Sequence, residues 1–179
     1  TGAQTGTTLD LAGEEFGSRL ISVDGSRALI ATSVYNGATS VNTERLTVLD
    51  TTTGAQIGNT VTLTGFLNGQ LYSADTGRAV VMTISSNFNT TGVPTSQVAV
   101  IDTGTGFQVG STLTLKPDNG YLVLSGGGTR AVVSTGSQFV VINTANGAQV
   151  GGALTGAGSN PLLTADGSRA LTTAISKPL

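Results

Sequence analysis

The chain of 179 residues contains no cysteine and no histidine. Without cysteine it can build no disulfide framework, no thiolate zinc site and no thiol nucleophile. Without histidine it lacks the commonest general base and the commonest metal ligand, so neither Ser-His-Asp nor Cys-His chemistry can be assembled from these residues. Tryptophan is absent too, only 10% of residues are charged, and the net charge is −2. That balance offers no electrostatic case for binding nucleic acid or an anionic membrane surface. No stretch of about eighteen apolar residues occurs, so no helical membrane span is expected. No catalytic set, resident metal or cofactor is expected from this inventory.

What the chain has in quantity is repetition. Asp-Gly-Ser-Arg-Ala at 24–28 returns as Asp-Thr-Gly-Arg-Ala at 75–79, Gly-Gly-Thr-Arg-Ala at 127–131 and Asp-Gly-Ser-Arg-Ala at 166–170. A second phrase, Thr-Gly-Ala-Gln, is interleaved with it at 1–4, 53–56, 105–108 (as Thr-Gly-Phe-Gln) and 146–149 (as Asn-Gly-Ala-Gln). The closing alanines, Ala28, Ala79, Ala131 and Ala170, stand 51, 52 and 39 residues apart. A period of about 40 to 50 residues fits a four-stranded propeller blade and is too long for a leucine-rich or β-helix rung.

Each unit reads as four strands. In the first, 19–23, 27–34, 45–50 and 56–63 are rich in Val, Ile, Leu and Thr, and Gly, Asp and Asn clusters separate them. The second gives 70–74, 78–85, 97–102 and 108–115; the third gives 121–125, 130–134, 138–143 and 149–154. No segment carries apolar residues at helical spacing. The expected fold is all-β: a propeller, or a propeller segment, of four-stranded antiparallel blades at about 16–65, 66–117 and 118–157. Partial blades flank them at 1–15, with an outer strand over 4–11, and at 158–179. One domain is the default at this length.

Both phrases have mechanical work to do. Asp24, Asp75 and Asp166 sit between first and second strands, where an Asp side chain bonds its own turn and Gly adopts a positive φ. Asp50, Asp102 and Asn143 close the third strand in the same manner. Recurrence with the repeat makes these acids turn formers rather than metal ligands, and the loss of the Asp at Gly127 fits that reading.

Ser-Ala-Asp-Thr-Gly-Arg-Ala at 73–79, followed by Val-Ala-Val-Ile-Asp-Thr-Gly-Thr-Gly at 98–106, resembles the repeat of bacterial secreted and surface β-propellers of the YVTN type. The resemblance covers nearly the whole chain as a pattern and implies fold more than function. Where the family places Pro before Asp-Gly, this chain has Val23, Ala74 and Ala165. Ala-Leu-Ile-Ala-Thr-Ser at 28–33 stands in place of the Tyr-Val-Thr-Asn run. The missing Trp removes the Trp-Asp pairs of WD40 repeats and the Trp-containing blades of quinoprotein dehydrogenases, so a pyrroloquinoline quinone is disfavoured.

Beginning in mid-blade and closing on a second strand, the sequence reads as an excerpt of a larger ring rather than a four-bladed ring with a defective blade. Open blade edges would invite pairing with another copy. Thr and Ser occupy faces where a cytosolic protein carries Lys and Glu, which suits a secreted, cell-surface or cell-wall setting.

Candidate functional residues gather at one end of the blades. Insertions between second and third strands, at 35–44 and 87–96, share a face with the connections between blades at 12–16, 64–69, 116–120 and 156–161. Loops on one face of a rigid scaffold are where binding resides. This face collects Phe16, Tyr35, Phe66, Phe88 and Tyr121, five of the eight aromatics. Aromatics beside Asn and Asp can stack on sugars or anchor a protein. Phe16, Phe66 and Tyr121 have a simpler reading as packing between blades, which leaves Tyr35 and Phe88 as the stronger candidates. Glu14 and Glu15 are the only adjacent acids; a solvated loop is their simpler reading, and acid/base or Ca²⁺ chemistry would need more oxygens around them. Gly126–Gly128 lacks the Lys-Ser/Thr of a phosphate loop and reads as a hairpin turn. Asn89-Thr90-Thr91 matches a glycosylation acceptor, an unmodified polar loop by default.

The function these features favour is non-enzymatic: a module binding a protein or glycan on its long-loop face, or a structural part of a surface protein. One alternative is a propeller lyase or hydrolase with its catalytic groups in blades outside this chain. The channel-side strands here offer only Ser22, Ser73, Ser125 and Thr164, a ring of hydroxyls suited to water or a weak cation. Another is self-assembly through blade edges.

Overall fold

The structure is a computed structural model that describes residues 6, 8–13, 19–73, 77–85, 94–116, 120–135, 138–155 and 161–171. Among them every regular element is a strand. Three antiparallel meanders follow one another along the chain. The first holds β1 (Arg19–Ile21), β2 (Arg27–Asn36), β3 (Val41–Asp50) and β4 (Gln56–Thr64). The second holds β5 (Phe66–Tyr72), β6 (Arg78–Ser85), β7 (Thr95–Asp102) and β8 (Phe107–Leu115). The third holds β9 (Tyr121–Leu124), β10 (Arg130–Thr135), β11 (Gln138–Asn143) and β12 (Ala148–Thr155), and a short hairpin of β13 (Leu162–Leu163) and β14 (Ala170–Leu171) comes after it. Each sheet keeps the order first-second-third-fourth strand, so the fold is a segment of a β-propeller with several four-stranded blades.

The middle strands of the second sheet are apolar on both faces because that sheet lies between two others. Leu29, Ala31, Leu46 and Val48 of the first sheet pack on Ala79, Val81, Ala99 and Ile101 of the second. The opposite face of the second sheet packs Val80, Met82, Val98 and Val100 on Ala131, Val133, Val140 and Ile142 of the third. Strict alternation along β6 and β7 thus supplies two separate cores, one for each neighbour.

A glycine contact repeats at the outer rim. The pairing of third with fourth strand shifts after Leu46, Val98 and Phe139, leaving bulges that open with Gly58, Gly110 and Gly151. Their φ angles are +63°, +70° and +69°, a conformation that costs residues with a Cβ. A Cβ on Gly58 would collide with the Thr105 carbonyl, and one on Gly110 with that of Asn146, both in the third-to-fourth turn of the next blade.

The two turn phrases act as expected where they are described, and Asp75 lies outside the described residues. Asp50 Oδ1 accepts the Thr52 and Thr53 amides at 2.9 and 3.0 Å, Asp102 Oδ1 accepts those of Gly104 and Thr105, and Asn143 Oδ1 that of Ala145. Arg27 and Arg78 stand directly opposite Asp50 and Asp102 and pair with them at 3.0 and 2.6 Å.

Two expectations require correction. The insertion at 35–44 is not a loop: β2 runs on to Asn36, β3 starts at Val41, and only 37–40 turn. Asn36 Oδ1 accepts the Ala38 amide at 3.0 Å, and Ser40 takes a φ of +55°, so a tight Asx-initiated turn closes an extended hairpin that its polar composition disguised. The outer strand over 4–11 is likewise not formed at its described residues, Gly6 and 8–11. The segment nonetheless lies where a preceding fourth strand would: Ala12 O accepts Thr32 Oγ1 at 2.8 Å, as Thr64 O accepts Thr83 Oγ1 at 2.7 Å.

Candidate functional site

At the lower ends of the blades the recurring hydroxyls are consumed by structure. Ser22, Ser73 and Ser125 are buried, and each Oγ accepts the amide of the arginine five residues on, at 2.9, 2.9 and 3.2 Å. Thr164 Oγ1 accepts the Arg169 amide at 3.1 Å. Ser22 also donates to Asp24 Oδ1 at 2.7 Å, and Thr164 to Asp166 Oδ1 at 2.6 Å. The ring of hydroxyls expected to face a channel instead closes four first-to-second turns.

Those bonds leave a pH signature. The Ser22 hydroxyl, then the Ser26 amide, hold the Asp24 carboxyl down at about 2 against an ordinary 3.8, and Thr164 with Ser168 does the same for Asp166. A carboxyl whose folded value is depressed contributes stability above its unfolded pKa and loses it as pH falls toward the folded value. Thermal melts should therefore be flat toward neutral pH from the unfolded value of 3.8 and fall as pH drops from there to about 2. Asp24→Asn should flatten part of that fall; identical acid profiles would count against the assignment.

The upper ends carry the aromatic candidates. Tyr35 is at the far end of β2, Phe66 begins β5 opposite Ile84, and Tyr121 begins β9 opposite Ser134, so all three share one end of the sheets. They are 61%, 47% and 54% exposed. Phe66 and Tyr121, each at the start of an inner strand, are thus about half exposed and not buried between blades. Glu14, Glu15, Phe16 and Phe88 lie outside the described residues.

Between the first and second blades a slot of about 30 Å³ is lined by Ser40, Asn42, Thr64, Gly65, Phe66 and Ser85. That volume admits one water or one hydroxyl group of a ligand. Asn42 is 7% exposed, and its Oδ1 meets no donor among the described residues. Ser33 Oγ and Ser96 Oγ, near the same ends of the sheets, are buried without partners as well. An unpartnered buried oxygen costs about 1–3 kcal/mol, so a donor reaching Asn42 Oδ1 through the slot would be stabilising.

Sequence reasoning missed the polar residues that hold this end together. Gln97 Oε1 accepts the Thr64 amide of the preceding blade at 2.7 Å, and Gln138 donates to Lys116 O at 3.2 Å. Buried Glu44 accepts the Leu67 amide at 3.3 Å. The signal was available as a glutamine standing first in both Gln-Val-Ala-Val-Ile-Asp and Gln-Phe-Val-Val-Ile-Asn. Asn42 gives no such signal, since it lies in the segment read as loop.

No protein-family model matches the chain, and no curated protein matches it in sequence. Among solved structures, 61 chains match. One described as the eukaryotic initiation factor superposes with a TM-score of 0.57 at 16% identity, over 90% of this chain and 37% of that one. Kuenenia stuttgartiensis hydrazine synthase gives 0.53 at 15%, over 86% and 54%. Pyrococcus horikoshii acylaminoacyl peptidase gives 0.53 at 15%, over 86% and 27%. The chain spans between about a quarter and a half of these proteins, and at such identities the likeness concerns the fold alone.

Proposed function

We propose that this chain is a non-enzymatic binding module of the YVTN-type propeller class, in a secreted, cell-surface or cell-wall protein. Its upper blade face takes a protein or glycan. The observation that carries the reading is the coincidence, at one end of the sheets, of three exposed rings with a slot whose Asn42 oxygen has no donor among the described residues. A neutral glycan is favoured because the slot lining is uncharged, offers carbonyl and hydroxyl oxygens, and is rimmed by Phe66. Sugar hydroxyls donate to such oxygens while the sugar ring stacks on an aromatic face. The absence of histidine and cysteine and the use of the lower hydroxyls in turns support a non-enzymatic role.

An array of immobilised neutral oligosaccharides tests the reading. The intact chain should bind a subset of them, and Tyr35→Ala and Phe66→Ala should each weaken binding roughly tenfold or more, as loss of an aromatic anchor does. Both rings are exposed, so the melting temperature should stay within about 1–2 °C of the parent. Equal binding by the Ala variants would remove this face from consideration.

A further inference from the structure

The outer half of the third blade presents an open groove of about 650 Å³, lined by Arg130, Val141, Val150, Leu163, Gly167 and Arg169 among others. The inner turn of this last hairpin packs on the third blade as earlier blades do, with Gly167 against Arg130 as Gly128 is against Ser73, but several outer contacts that repeat between the earlier blades are unused here among the described residues. All eight residues of β12 are exposed, whereas β4 and β8 are partly covered. Leu154 is 62% exposed, although its counterparts Val61 and Leu113 are partly buried against the cores. Gly151 holds the φ of Gly58 and Gly110, yet a Cβ there would meet nothing within 4 Å.

The polar hooks agree. Arg27 and Arg78 each pair with the aspartate closing a third strand, while Arg169 has no carboxylate partner among the described residues, and residues 170–179 contain no acid. Arg78 Nε reaches forward to Thr144 O of the next blade at 3.3 Å; Arg130, its counterpart, binds only its neighbour Thr129 O within the described residues. The carbonyls of Ser26, Gly77 and Thr129 accept the amides of Thr51, Thr103 and Thr144, and Ser168 O has no such donor among them.

We infer that this groove is a docking site for one β-hairpin with the chemistry of a third and fourth strand of this repeat, Val-x-Val-Ile-Asp-Thr followed by a Gly turn. Its first strand hydrogen-bonds the edge of β14 that pairs with no other described strand, in the register Arg169↔Asp, as Arg78↔Asp102 in the second blade. Its apolar residues cover Val141 and Val150, its turn seats on Gly151, and its Thr carbonyl meets Arg130. Charge complementarity at Arg169 and continuity with the two blade interfaces already formed select this occupant.

A labelled peptide of residues 95–115 serves as the probe, titrated by fluorescence anisotropy against the 179-residue chain. Saturable one-to-one binding is expected, weakened at least tenfold by Arg169→Ala in the protein or by replacing the peptide's aspartate with alanine. Both changes together should weaken it no more than either alone, the mark of a direct pair. A second arm appends residues 95–115 after Leu179 through a Gly/Ser linker and reads amide exchange at 170–171, which should slow at least tenfold and return to the parent rate with Arg169→Ala. No saturable binding together with no added protection would overturn the inference, as would indifference to Arg169. A parent chain that is dimeric and must dissociate before the peptide binds would overturn it too, because the groove would then belong to a second copy.

Discussion

Replacing Ile101 with alanine should lower the unfolding free energy by about 3–4 kcal/mol. Ile101 is wholly buried in the core between first and second sheets, where Leu46, Val48 and Leu29 surround it. Truncation removes three methyl or methylene groups from a site walled by two rigid sheets, so the cavity cannot collapse and its cost adds to the lost transfer energy. For a domain of this size that loss corresponds to a drop of roughly 6–16 °C in melting temperature. Leu154→Ala, on the exposed fourth strand of the third blade, should change stability by about 0.5 kcal/mol or less. Chemical denaturation of the two variants side by side checks the contrast. Comparable losses would mean that the inter-sheet cores are not where stability resides.

Gly106→Ala should destabilise by roughly 3 kcal/mol or more. At a φ of +71° the new side chain carries about 1–2 kcal/mol of backbone strain. Its Cβ would also stand 2.5 Å from the Ile57 carbonyl carbon and 2.9 Å from the Gly58 amide nitrogen, backbone atoms of the preceding blade that cannot swing aside. Overpacking of that kind forces the two sheets apart. Gly151→Ala isolates the first effect from the second: its φ of +69° is nearly the same, but its Cβ projects into open space. It should cost about 1–2 kcal/mol. A measured gap near zero between these variants would show that the glycine ladder reflects turn geometry alone and not blade stacking.

The contrast between what the sequence disclosed and what it hid follows from the kind of interaction involved. Strand limits such as 78–85 and 138–143 were readable because local chemistry sets them: an Asx or Gly corner, then alternating β-branched residues. Blade identity was readable because the corner recurs. The extended hairpin at 35–42 was not, since Tyr-Asn-Gly-Ala-Thr-Ser-Val-Asn carries no apolar alternation, and its pairing derives from the rigid strands that lead into it. Exposure of Phe66 and Tyr121 was equally hidden. Whether an aromatic at a strand start turns inward depends on the pleat it inherits, and a bulge between Leu67 and Gly69 resets that pleat in β5. Asn42 drew notice only through its buried oxygen, which has no donor among the described residues. The glycines of the outer bulge stood in the sequence at 58, 110 and 151, yet their meaning lies in contacts one repeat away, which no local pattern encodes.

Through-space proton contacts between blades test the central claim most directly. Stacked sheets bring Gly58 within touching distance of Gly106 and Gly110 within touching distance of Gly147, and place Leu29, Leu46 and Val48 of the first sheet in one core with Val81 and Ile101 of the second. Nuclear Overhauser spectra of labelled protein should show α-proton cross-peaks for both glycine pairs and methyl cross-peaks between the first sheet's Leu29, Leu46 and Val48 and the second sheet's Val81 and Ile101. Spectra in which these residues contact only their own sheet, or in which the first and second units share one continuous ladder, would contradict the account.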